Sequence, residues 1–245
     1  MLKAFIFDLG GTLLHYESAS ADILELNNRG FVALYHYLSA NDQVVLPEAA
    51  FLTAVRARVT VEWQSALASF LGSSIETPLK TALSELGLRL NDDEWQAARQ
   101  AFFAPIQNAV EPRYGAQPTL QALKDQGMSL GLLSNTFWAA DIHDADLARF
   151  GLLDLLPTRL YSCDIRRIKP HPEAFQMALA AMGVEPNEAV YVGDRLKTDV
   201  EPAREVGLWG VLIKTPFRDE QSRHILPDAV ISELPELIKL LEHRR

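Results

Sequence analysis

The sequence predicts an α/β protein: a mostly parallel sheet sandwiched by helices, with an all-helical domain inserted after the first strand. Three observations predict it. The chain opens on a short apolar run that stops at an acid, Leu2-Lys3-Ala4-Phe5-Ile6-Phe7-Asp8. From about Ser20 to Val110, apolar residues recur at helical spacing among Ala, Leu, Glu, Gln and Arg. From Glu111 onward, helix, glycine, apolar strand and polar ending repeat, which is the pattern of βαβ units in a parallel sheet.

The elements follow in order. Leu2 to Phe7 reads as a buried strand. In the insertion, Phe31 to Ala40, Glu48 to Gly72 and Asp93 to Ile106 read as amphipathic helices. Asn91-Asp92-Asp93 is a helix start, and Gly72-Ser73-Ser74 and Pro78 read as breaks between helices. The linkers fall near His15 to Ser20 and near Pro105 to Gly115, a pair placed to act as a hinge. The expected domains are therefore residues 1–16 plus 111–245 for the α/β core and 17–110 for the helical insertion. In the core, Thr119 to Gly127 is a helix closed by glycine, and Met128 to Asn135 a strand with a polar ending. Glu173 to Gly183 and Ala189 to Asp194 repeat that pair. Pro202 to Gly207 and Leu208 to Ile213 repeat it again, and Ala229 to Ser232 reads as a last edge strand.

Composition narrows the function classes. With 245 residues, 48% hydrophobic and 22% charged, the chain is ordinary for a folded protein of one large core plus a smaller one. A formal charge of −9 argues against a nucleic-acid partner, which needs a concentrated basic face; His243-Arg244-Arg245 is too short to supply one. Cys163 is the only cysteine, which leaves no intramolecular disulfide and no cysteine-rich zinc site. The start MLKAFIFDL is too short and too soon acidic for a secretory signal, and no run approaches the roughly 20 apolar residues that span a bilayer. A cytoplasmic location without a membrane partner is the expectation.

The polar endings matter most, because ligands of open parallel sheets bind beyond the carboxyl ends of the strands. Asp8 ends the first strand, Ser134-Asn135 the next and Gly193-Asp194 another, with Asp199 five residues on. Lys169 precedes a helix that Pro172 and Glu173 favour at its start. Taken singly, each is an ordinary turn or surface residue. If they converge, clustered carboxylates suit a hard cation such as Mg²⁺, and a lysine with a hydroxyl suits a phosphate. Together they describe a site for phosphoryl transfer between oxygens.

The set resembles the haloacid dehalogenase superfamily of aspartate-dependent hydrolases. FDLGGTLL (Phe7 to Leu14) is similar to its first motif, LLSN (Leu132 to Asn135) to its second, Ile168 to Phe175 to its third, and Val192 to Gly207 to its fourth. The resemblance implies a Rossmann-like sheet with a mobile helical cap, and a hydrolase acting on a small phosphorylated metabolite. It implies Asp8 as the nucleophile and Thr12, Ser134 and Lys169 as groups holding the phosphoryl, with Asn135 beside Ser134. It implies Mg²⁺ on Asp8, the Gly10 carbonyl and Asp194, with Asp199 as an outer or water-mediated partner. Phosphatase members carry a second aspartate two residues after the nucleophile, as proton donor and then base; here that residue is Gly10. Such acid–base help is worth about 10²–10⁴-fold. Three accounts follow. The first is a phosphohydrolase that is slow or takes its relay elsewhere, with His15, Tyr16 and His36 as candidates and His15 the best placed. The second is a noncatalytic phosphate-binding or regulatory protein. The third is a dehalogenase or phosphonate-cleaving enzyme, for which Lys80 is the only lysine of the insertion. Arg29, Arg56, Arg58 and Arg99 are candidate anion contacts from the insertion, and Trp138 either lines the cleft or packs against the insertion.

Overall fold

In a computed structural model of the chain, which describes residues 1–16, 23–43, 46–215 and 224–242, β1 (Ala4–Phe7) is the central strand of the sheet. It lies between β4 (Ser129–Ser134) and β6 (Ala189–Gly193). With β5 (Thr158–Tyr161), β7 (Trp209–Ile213) and β8 (Ala229–Ile231), the order is β5-β4-β1-β6-β7-β8, every pair parallel. The chain builds one side of β1 first and then crosses to the other, so the order switches at β1. A crevice opens at such a point. The edge strand β5 was not expected; its residues Thr-Arg-Leu-Tyr carry no clear apolar run.

Side chains alternate across the sheet as strand geometry requires. Phe5, Phe7, Leu130, Leu132, Val190 and Val192 pack with α5 (Ala116–Asp125) and α10 (Glu236–Glu242) on one face. Ala4, Ile6, Leu133 and Tyr191 pack with α8 (Pro172–Met182) and α9 (Glu201–Glu205) on the other. The insertion contributes α1 (Ile23–Ala40), α2 (Glu48–Ser69), α3 (Glu76–Glu85) and α4 (Asp92–Gln107). Leu26, Phe31, Leu34 and Leu38 of α1 meet Trp95, Ala98, Phe102 and Ile106 of α4, the apolar stripes read from the sequence. Asn91 and Glu94 form a reciprocal capping box at the start of α4. Pro78 does not break a helix as expected, and Pro105 lies inside the helix expected over Asp93 to Ile106. Pro78 falls in the first turn of α3, where its missing N–H has no partner to lose, and α4 runs through Pro105 to Gln107.

The two linkers pair with each other. β2 (Leu14–His15) and β3 (Glu111–Pro112) form a short antiparallel ribbon under the insertion. The first linker is described only through Tyr16, and His243-Arg244-Arg245 lies outside the described residues. The helical domain is seated on the sheet's carboxyl edge. Ile75 N–H donates to Phe137 O (2.7 Å), Ile168 N–H to Phe70 O (3.1 Å) and Trp138 Nε1–H to Asn27 Oδ1 (3.0 Å). Arg99 bridges Glu76 of its own domain (2.6 Å) and Asp141 of α6 (Ala140–Arg149) in the core (2.5 Å). Among the described residues, no helix is long and apolar enough to cross a membrane.

Candidate active site

Strand register builds the site. Phe7 of β1 is level with Leu132 of β4 and Val192 of β6, so Asp8, Ser134 and Asp194 emerge together at the carboxyl edge. Asp8 N–H donates to Val192 O (2.9 Å), which holds the strand end as the chain turns away. The turn closes on one carbonyl, Leu9 O, which accepts from the N–H groups of Thr12 (3.3 Å), Leu13 (2.8 Å) and Leu14 (3.0 Å). Gly11 supplies the left-handed backbone at the bend, φ +80°. The hydroxyl of Thr12 is buried there without a hydrogen-bond partner among the described residues, an arrangement that favours a ligand in that position.

Carboxylate oxygens of Asp8, Asp194 and Asp199 all lie within 4.8 Å of one another, and all three residues are buried. Asp199 reaches the cluster because residue 193 is glycine: a Cβ there would lie 2.5 Å from Asp199 Cβ and Cγ. The main-chain N–H of Arg195 donates to Asp199 Oδ2 (3.0 Å). Lys169 Nζ donates to Asp8 Oδ1 (2.8 Å), Asp199 Oδ1 (2.6 Å) and Tyr191 Oη (2.6 Å). Burial opposes the charge on Lys169, but Asp199 and Asp8 outweigh it and hold the ammonium above its ordinary pKa. Deleting one partner of such a buried ion group costs roughly 3–5 kcal/mol.

Two residues fix that lysine. One is Asn135, expected in the phosphate-binding set as a positioning residue beside Ser134. Its amide clamps the main chain of Lys169, accepting from its N–H (2.8 Å) and donating to its C=O (2.8 Å), just before the cis bond to Pro170. Asn135 thereby fixes the main chain of Lys169. The other is Tyr191, which the sequence places in the strand Ala189 to Asp194. Its hydroxyl donates to Leu133 O (2.9 Å), which leaves its oxygen to accept from Lys169. A fully buried tyrosine inside a strand needs such a partner, and that need was the signal available in the sequence.

His15 lies in the ribbon, where burial lowers its pKa and the charges acting on it are Arg113, Glu111 and Glu233. Tyr16 is different: a Cβ on residue 10 would lie 3.5 Å from its ring carbon Cδ2. Its hydroxyl is 2.8 Å from Nδ1 of His143, whose Nε2 is 2.6 Å from Thr136 Oγ1. Burial lowers the His143 pKa to about 4, so the ring is neutral at pH 7, and burial raises Tyr16 well above its ordinary value. His36 is exposed on α1. Arg29 pairs with Glu25, Arg99 with Glu76 and Asp141, and Lys80 lies over the Trp95 ring. Trp138 is buried between the domains, packed on Tyr16, His143 and Phe103.

The donor set is made of hard oxygens clustered around one ammonium, with no clustered sulfur or imidazole beside it among the described residues, and that chemistry fits Mg²⁺. The fold, the buried lysine–aspartate group and the open hydroxyl define a class of hydrolase. The chain belongs to the haloacid dehalogenase-like hydrolases, whose family model matches residues 2–207. It is 29% identical to a phosphoserine phosphatase of Thermus thermophilus, over 96% of this chain and 98% of that one. Among solved structures it is similar to a 2-haloacid dehalogenase from Pseudomonas syringae pv. Tomato (TM-score 0.71, 26% identity, both chains covered completely). It is also similar to a HAD phosphatase from Thermococcus onnurineus (TM-score 0.63, 25% identity, 98% of each chain).

Proposed function

We propose that the chain is a Mg²⁺-dependent phosphohydrolase of a small phosphorylated metabolite, working through an aspartyl-phosphate on Asp8 without the acid–base aspartate usual in such enzymes. The observation that carries the reading is the Lys169 ammonium between Asp8 and Asp199, beside Asp194 and the unpartnered Thr12 hydroxyl. A carboxylate oxygen of Asp8 attacks phosphorus and the bond to the leaving oxygen breaks. Lys169, Thr12 and Ser134 hold the phosphoryl oxygens as charge shifts. Water then attacks the aspartyl-phosphate, releasing phosphate and the Asp8 carboxylate. Asp8, the Gly10 carbonyl and Asp194 would hold Mg²⁺, with Asp199 behind them, and the bound ion would neutralise charge on the phosphoryl oxygens. Gly10 offers no proton to the leaving oxygen, and His15 in its ribbon is not favoured to replace it.

The likeness to a 2-haloacid dehalogenase supports a second reading, in which Asp8 displaces halide from carbon; the missing side chain at residue 10 supports a third, a phosphate-binding protein without turnover. Turnover with Mg²⁺ across phosphate esters, 2-haloacids and phosphonates separates them. We expect phosphate release from esters that is lost with chelator and in Asp8→Asn, whose amide is a poor nucleophile. Halide release without phosphate release would replace this reading with the second, and binding without turnover would replace it with the third.

A further inference from the structure

Both linkers of the helical domain take hold of a single residue in the turn after Asp8. Gly11 N–H donates to Leu14 O of β2 (2.7 Å), and Gly11 O accepts from Nη1 of Arg113 (2.6 Å), the first residue after β3. The main-chain N–H of Arg113 returns to Leu13 O (2.9 Å). Its Nη2 donates to Ser232 O (2.9 Å) and to Lys214 O, just beyond the carboxyl ends of β8 and β7. Arg113 is only 5% exposed. Among the described residues it makes no salt bridge: Glu233 and Asp194 act on it without direct pairing. A guanidinium buried on carbonyls alone is unfavourable to desolvate. What it offers is a rigid planar fork that reads several acceptors at fixed positions.

We propose that Arg113 is a positioning residue for the reaction, coupling the seat of the helical domain to the geometry of the Gly10–Thr12 turn. The ribbon is the hinge, and Arg113 converts its position into the position of the Gly11 peptide. That peptide lies between the carbonyl of Gly10 and the hydroxyl of Thr12. The turn therefore takes its working shape only while the ribbon is in place. The kinetic part of this inference rests on the phosphohydrolase reading; the structural part does not.

The test compares Arg113→Met and Arg113→Lys with Leu179→Ala, a core variant on α8 two helical turns from Pro172. Two quantities are read at a temperature where each variant is folded: amide hydrogen exchange of the segment 9–16, and kcat with KM on a phosphate ester. In Arg113→Met we expect at least about tenfold faster exchange in that segment and a kcat loss approaching 10²-fold, as roughly 1 Å of misplacement produces, with KM little changed. Arg113→Lys should fall between, keeping the charge without the fork, and stands in if the Met variant does not fold. Leu179→Ala should lose thermal stability with segment 9–16 and kcat unchanged. Wild-type exchange in folded Arg113→Met overturns the proposal, and so does faster exchange with kcat intact. If the wild type turns over no phosphate compound, the functional reading fails by itself, and the exchange result alone decides whether Arg113 holds the turn.

Discussion

Gly10 stands where the sequence resemblance expects an acid, and the structure shows what surrounds the vacant direction. Its φ is not left-handed, and an added Cβ would make ordinary contact with the Tyr16 ring at 3.5 Å. An aspartate therefore fits the backbone. Tyr16 itself is a poor substitute, since its hydroxyl is engaged with neutral His143 and burial raises its pKa. Gly10→Asp should raise hydrolysis of an ester with a poor leaving group by up to about 10²–10⁴-fold, and that of an aryl phosphate much less at the leaving-group step. Single-turnover rates on both esters check this, with Mg²⁺ titration as the folding control. Equal rates in variant and wild type on the poor leaving group would mean that the proton comes from elsewhere.

At the scale of elements, α6 presents His143 and Asp146, three residues apart on one face, to Tyr16 at the end of the ribbon. Burial lowers the His143 pKa from 6.5 to about 4, with Asp144, Asp141 and Asp8 opposing. Burial raises Asp146 from 3.8 to about 6, against Arg149 and hydrogen bonds from Gln107 and Tyr16. Between pH 4 and 6.5 the unfolded chain protonates His143 and the folded chain does not, so this group adds stability as pH rises. Asp146 is the reverse: the folded state keeps a proton that the unfolded chain has lost, and stability falls as pH rises toward 6. The two slopes oppose each other in the wild type. His143→Gln should uncover the second, losing on the order of 3 kcal/mol relative to wild type between pH 4 and 6.5. Urea midpoints at the two pH values measure it, and a difference from wild type that does not change with pH would contradict it.

Elements also show what was legible in the residues. Strands β1, β4, β6 and β7 announce themselves as apolar runs with polar endings, and their parallel register then carries Asp8, Ser134 and Asp194 to one edge. The ribbon was not legible, because two residues per strand carry no period. Nor was α6, where charged residues interrupt the apolar stripe. Tyr191 and Arg113 escaped for another reason: their partners lie 22 and 102 residues away, and only tertiary folding brings Lys169 and Gly11 to them.

In the whole molecule, the helical domain rests on the carboxyl edge through main-chain bonds, the Trp138–Asn27 contact and the Arg99 bridge, so the candidate site lies where the helical domain meets the sheet. The proposed hydrolysis there depends on one covalent event at Asp8. The direct measurement is to mix the protein with Mg²⁺ and an aryl phosphate, quench in acid within the first turnover, and map any mass gain by peptide. An aspartyl-phosphate intermediate leaves one phosphoryl group on the peptide containing Asp8, absent from Asp8→Asn. Turnover with no adduct on that peptide, or an adduct that survives Asp8→Asn, would contradict it.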